Sequence, residues 1–125
     1  MTAYALTHSK AWKVGFVGAP VTSWKLYDSI YTERYMGLPS ENKDGYESTN
    51  LSAVAKNLGG KILLMHGTLD DNVHPQNTIQ FIDALQKGGQ DYDLRLFPGS
   101  DHGPRAPWQI WNRQVAMWDF LKRNL

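Results

Sequence analysis

Lys61–His74 reads KILLMHGTLDDNVH, and its two halves differ in kind. The first contains the apolar run Ile62-Leu63-Leu64-Met65, the length of a strand buried on both faces of a parallel sheet. At His66-Gly67 the run breaks into a polar loop with two adjacent carboxylates, Asp70 and Asp71, and Asn72 behind them. Buried strand, acidic loop and then helix is the order by which α/β proteins place chemistry at the carboxyl ends of their strands.

Downstream, Pro75 opens a helix whose apolar side carries Ile79, Phe81, Ile82 and Leu85, and Gly88-Gly89 ends it. Tyr92–Phe97 alternates as a strand, and Pro98-Gly99 turns it into a second polar loop, Ser100-Asp101-His102-Gly103. A final amphipathic helix is predicted, with Trp108, Trp111, Val115 and Trp118 along its apolar stripe.

Upstream, Lys13–Pro20 (KVGFVGAP) reads as another buried strand, stopped by Pro20. Val21–Gly37 follows as a helix with Trp24, Tyr27, Tyr31 and Tyr35 on one face, a stripe that either packs on a neighbour or lines a pocket. Leu38–Asn50, with Pro39 and the turn pair Asp44-Gly45, reads as a surface loop before a short helix at Leu51–Asn57. Thr2–His8 reads as the tail of a helix with no capping residue before it, which suggests a segment of something longer. Strand and helix alternate three times without a repeat, so the fold class is α/β, with three parallel strands and flanking helices.

Composition narrows the function classes. Thirteen basic against 12 acidic residues leave a net charge of +1, with no basic block to track a nucleic acid or an anionic membrane. The chain has no cysteine, which excludes disulfides, thiolate metal sites and a cysteine nucleophile. No stretch approaches the roughly 18 apolar residues of a membrane span, and no cofactor motif is present.

Three parallel strands bring their following loops to one edge of the sheet, so the loops after Pro20, Met65 and Phe97 become neighbours. One supplies aromatics, one Asp70 and one His102. A carboxylate beside an imidazole can fix its tautomer and make it a general base. The residues alone leave open a plain helix-start acid and a loop histidine with no shared task. Asp70, Asp71 and His74 are of metal-ligating type, but adjacent acids point apart and no further ligand accompanies them, so no metal is expected. His66 is read as a hydrogen-bonding support for the loop and His8 as a surface residue. A serine nucleophile would need a G-x-S-x-G elbow, which none of the chain's seven serines has.

Three motifs carry a resemblance: APVTSWKLYDSIYTERYMGLP over Ala19–Pro39, HGTLDDNVHPQN over His66–Asn77, and DHG over Asp101–Gly103. Together they resemble the C-terminal part of the peptidase domain of dipeptidyl peptidase IV-like serine peptidases, within the prolyl oligopeptidase family. The likeness runs from Met1 to about Gly103, and the last helix is matched only in type.

The resemblance implies a partial α/β-hydrolase fold, with residues 1–125 forming the C-terminal portion of a peptidase domain from just after its nucleophile elbow. It implies Asp70 and His102 as triad members and Asn72 as a ligand of the substrate's backbone carbonyl. Val21, Trp24, Tyr27, Tyr31 and Val73 become the wall of a small pocket for a penultimate proline or alanine. Family elbows read G-W-S-Y-G-G-Y-M, so Met1 aligns with the final Met and the nucleophile falls before it. The serine, the amide after it and the tyrosine that complete an oxyanion hole have no counterpart here, nor has the β-propeller glutamate pair that binds the substrate amino terminus. Loss of one oxyanion donor alone is worth about 10²–10³ in rate.

The expected activity is therefore that of a parent enzyme releasing N-terminal dipeptides after Pro or Ala, with this chain inactive alone. Proteins with this resemblance are often periplasmic, secreted or membrane-anchored, and no residue here selects a compartment. A lipase or carboxylesterase on the same fold and a non-catalytic, self-associating α/β module are the alternatives. Cutting a larger sheet at its middle exposes a strand edge and a helix-packing face, so a homodimer or swapped assembly is expected of the isolated chain.

Overall fold

The computed structural model describes residues 1–125. Strands β1 (Val14–Gly18), β2 (Lys61–Gly67) and β3 (Asp93–Phe97) form a parallel sheet in that order. Phe16 pairs with Leu63 and Gly18 with Met65; on the other side Leu64 pairs with Leu94 and Gly67 with Phe97.

Every residue from Ile62 to Gly67 is buried, because helices cover both faces of the central strand. On one face Ile62 and Leu64 pack with Ala3 and Leu6 of α1 (Thr2–His8) and with Phe81 and Leu85 of α4 (Gln76–Lys87). On the other, Leu63 and Met65 meet Ala116 and Phe120 of α5 (Pro107–Asn124), with Phe16 edge-on to Phe120 at 5.8 Å. Alternate side chains of a strand point to opposite faces, so a continuous apolar run serves two cores. Each fully buried Leu, Ile or Phe contributes about 1.5–3 kcal/mol relative to exposure. The three strands are parallel, so their carboxyl ends lie at one edge of this α/β sheet.

The strand extends two residues beyond the apolar run, through His66 and Gly67, because the backbone still pairs with β3 there. The region expected as one helix over Val21–Gly37 is instead a 3₁₀ turn at Trp24–Leu26, an extended Tyr27 and then α2 (Ser29–Met36). Asp28 causes the break: its side chain caps α2 by accepting from the Tyr31 amide at 2.8 Å. Trp24 and Tyr27 therefore do not share a helix face with Tyr31 and Tyr35.

Within the expected surface loop a short helix, α3 (Lys43–Ser48), forms. Asn42 caps it, and the buried Tyr46 anchors it through a 2.8 Å bond from its hydroxyl to the Gly37 carbonyl. Asp44-Gly45 is thus a helix start and not a turn. In α4 the apolar side holds Phe81, Ile82 and Leu85, but Ile79 is half exposed, and Asn77 and Thr78 are buried in its place.

The largest correction concerns α5. Trp108, Trp111 and Trp118 are 60%, 70% and 59% exposed, and Val115 is exposed as well. The buried side is Gln109, Ala116 and Phe120. A small residue at closest approach lets the helix sit on Leu63 and Met65, and a tryptophan stripe is too bulky for that gap. No helix is long and apolar enough to cross a membrane.

Candidate active site

The loops after β2 and β3 are laced together before any functional side chain is placed. Thr68 N–H donates to Phe97 O at 3.1 Å and Leu69 N–H to Ser100 O at 2.9 Å, while Gly99 N–H donates to Thr68 Oγ1 at 2.9 Å. Gly67 makes this possible, since a Cβ there would collide with the carbonyl oxygens of Ser100 and Asp101. The close passage sets His102 beside Asp70.

Asp70 is 2% exposed, yet its carboxylate is fully engaged. Oδ1 accepts from the amides of Asn72 at 3.1 Å and Val73 at 2.9 Å, the side-chain-to-backbone turn that Asp favours. Oδ2 accepts from His102 Nδ1 at 2.9 Å. An ionised carboxylate only accepts, so Nδ1 carries the proton, and in the neutral ring Nε2 presents its lone pair. Burial is the largest single influence on Asp70 and pushes its pKa up. The bonds from His102 and from the Val73 and Asn72 amides together outweigh burial and hold the carboxyl below its ordinary 3.8.

The His102 side chain is 45% exposed and lines an open cleft of about 450 Å³ with Phe16, Ala19, Met65, Arg113 and Met117. Ala19, at the end of β1, has φ +40°, a left-handed backbone that is uncommon outside glycine. Its amide is held by Met65 O at 2.8 Å.

An aromatic wall stands next to this couple. Trp24 stacks on Tyr31 at 6.0 Å, and Tyr27 lies edge-on to Tyr31 at 5.4 Å. The Tyr27 hydroxyl donates to Asn72 Oδ1 at 2.8 Å, which joins the wall to the acidic loop and leaves Asn72 Nδ2 free to donate outward. Tyr35 extends the cluster at 5.0 Å from Tyr31. Val21 precedes the bonded Thr22, while Val73 is buried and donates its own amide to Asp70 Oδ1; neither belongs to the stacked rings. Asp71 and His74 are exposed, and nowhere do three His, Cys, Asp or Glu side chains converge as a metal site.

Two supporting residues were not read from the sequence. Asn77 is fully buried and accepts from the amide of Thr22 at 3.0 Å while donating to Leu26 O at 3.2 Å. Gly67 is the other; its need appears only when the third strand's loop crosses it. A polar Asn on the inner side of an apolar helix face was the available signal for Asn77.

The parallel α/β sheet thus sets a buried Asp and a His on adjacent strand ends, the geometry in which a carboxylate fixes an imidazole tautomer. The chain belongs to the prolyl oligopeptidase family, whose model matches residues 1–125. It is 52% identical over 113 residues to dipeptidyl aminopeptidase B of Saccharomyces cerevisiae, covering 87% of this chain and 13% of that protein. The structure superposes on Porphyromonas gingivalis dipeptidyl peptidase 4 with a TM-score of 0.94 at 35% identity, covering 98% of this chain and 18% of that one. The chain spans about a tenth of the length of the first curated relatives it matches.

Proposed function

We propose that residues 1–125 supply the acid–base pair and one pocket wall of a serine peptidase domain that releases N-terminal dipeptides after proline or alanine. The observation that carries this reading is the 2.9 Å bond from His102 Nδ1 to a buried Asp70 at the edge of the aromatic wall. His102 Nε2 takes the proton of a serine hydroxyl as its oxygen attacks the carbonyl after Pro or Ala. The same nitrogen then gives that proton to the leaving amine and afterwards activates water against the acyl-enzyme. Asp70 stabilises the imidazolium that forms in each step.

Asn72 Nδ2 donates to a substrate backbone carbonyl, and Val21, Trp24, Tyr27, Tyr31 and Val73 wall the pocket for the penultimate residue. The bond from Tyr27 to Asn72 supports this role by fixing which end of the amide faces outward. On this reading the serine nucleophile, as the family resemblance implies, is supplied by sequence outside residues 1–125. Alone the chain forms no acyl-enzyme.

Self-association is favoured by a separate observation: β1 stands at an edge of the sheet, with its outer side unpaired. Sedimentation of the isolated chain is expected to give a dimer, and a monomer overturns that part.

The function is tested by grafting residues 1–125 in place of the matching segment of Porphyromonas gingivalis dipeptidyl peptidase 4. The chimera is expected to release nitroaniline from Gly-Pro-nitroanilide and to lose that activity with His102→Ala. A folded chimera with no turnover, or turnover indifferent to His102, defeats the proposal. The isolated chain should take no label from a fluorophosphonate probe.

A further inference from the structure

His66 approaches the same Asp70 oxygen, Oδ2, that receives His102, and its side chain is fully buried. Its Nε2 is 2.8 Å from the Val73 carbonyl and 3.3 Å from Asp70 Oδ2. Its Nδ1 is 2.6 Å from Thr78 Oγ1 on α4. Both neighbours of Nε2 can only accept, so Nε2 carries the proton and donates to Val73 O. Thr78 Oγ1 has no other hydrogen-bond partner, so its proton goes to Nδ1. The neutral Nε2–H tautomer is thus the state in which every buried proton of the group has an acceptor.

The Val73 peptide is consequently held from both ends: its carbonyl by His66, its amide by Asp70 Oδ1 at 2.9 Å. The partly positive N–H end of the neutral His66 ring also lies beside Oδ2, the oxygen that receives His102. We propose that His66 is a positioning residue for the Asp70–His102 couple: through Val73 and Oδ2 it holds the carboxylate in the orientation that meets His102 Nδ1. The inference rests on the reading of that couple as the acid–base pair. It adds α4, through Thr78, to the elements that aim the couple.

Nitrogen-15 histidine NMR of the 125-residue chain tests this without any peptidase assay. In the unmodified chain His66 is expected as the Nε2–H tautomer, and the Nδ1–H of His102 as a downfield proton protected by Asp70; an Nδ1–H tautomer at His66 overturns the proposal without recourse to variants. Glutamine can place a donor where Nε2 stands, whereas asparagine places its amide near the Nδ1 position. His66→Gln should therefore keep the protected His102 proton, and His66→Asn should lose it to solvent exchange. If His66→Asn folds and keeps that signal as strongly as His66→Gln, His66 merely supports the loop and the proposal fails. A chimera without dipeptide release would sink the peptidase reading and leave this measurement standing.

Discussion

Asn77 Oδ1 accepts the backbone N–H of Thr22 at 3.0 Å, and the Thr22 hydroxyl returns a 2.7 Å bond to the Asn77 carbonyl. These residues lie 55 positions apart, and their reciprocal bonds fasten the aromatic loop to the start of α4. The aromatic loop is therefore tied to α4 independently of the bond from Tyr27 to Asn72.

Replacing Asn77 with alanine should strand the buried Thr22 amide and the Leu26 carbonyl together. At about 1–3 kcal/mol per stranded group, a loss on the order of 3 kcal/mol is expected. Urea unfolding of Asn77→Ala reads it directly; a loss near zero would mean that the loop holds without the staple.

The depressed pKa of Asp70 sets the sign of an acid dependence. A carboxyl held below its ordinary 3.8 in the fold contributes stability that is present above that pH and is lost as pH falls through the folded value. Urea midpoints taken from about pH 5 down to about pH 2 should fall less steeply for Asp70→Asn than for the unmodified chain. Parallel curves would show that other carboxylates govern the acid limb.

At Gly67 the expected effect comes from backbone, which cannot rotate away. A methyl group there forces the Ser100–Asp101 segment off β2, so Gly67→Ala should cost about 3 kcal/mol or more and break the contact between His102 and Asp70. Thermal unfolding measures the first, and loss of the protected His102 imidazole proton the second.

The two sides of α5 make a paired test. Phe120→Ala should cost about 3–5 kcal/mol as a core truncation. Trp111→Ser, at a site 70% exposed, should stay within about 0.5 kcal/mol of the unmodified chain. Equal losses would mean that the tryptophan side is packed in solution.

The sequence by itself determined the alternation of strands and helices, the central position of Ile62–Met65 and the motifs around Asp70, Asn72 and His102. Those features are local: an uninterrupted apolar run, a Pro-Gly turn, a carboxylate following a buried strand. Tertiary structure decided what local pattern leaves degenerate. Three-and-four spacing marks a helical stripe but not which stripe meets the sheet: the α5 tryptophans keep that spacing, yet Ala116 and Phe120 are the residues that fit. A run of aromatics at helical intervals does not reveal that Asp28 will cap a new helix in its midst. Gly67 carries no local signal of its task, and those of His66 and Asn77 do not name a partner, because each acts on backbone brought near only when the sheet forms. The 2.9 Å meeting of Asp70 and His102 belongs to both levels. Parallel strand order puts their loops at one edge, and the missing side chain of Gly67 lets those loops close.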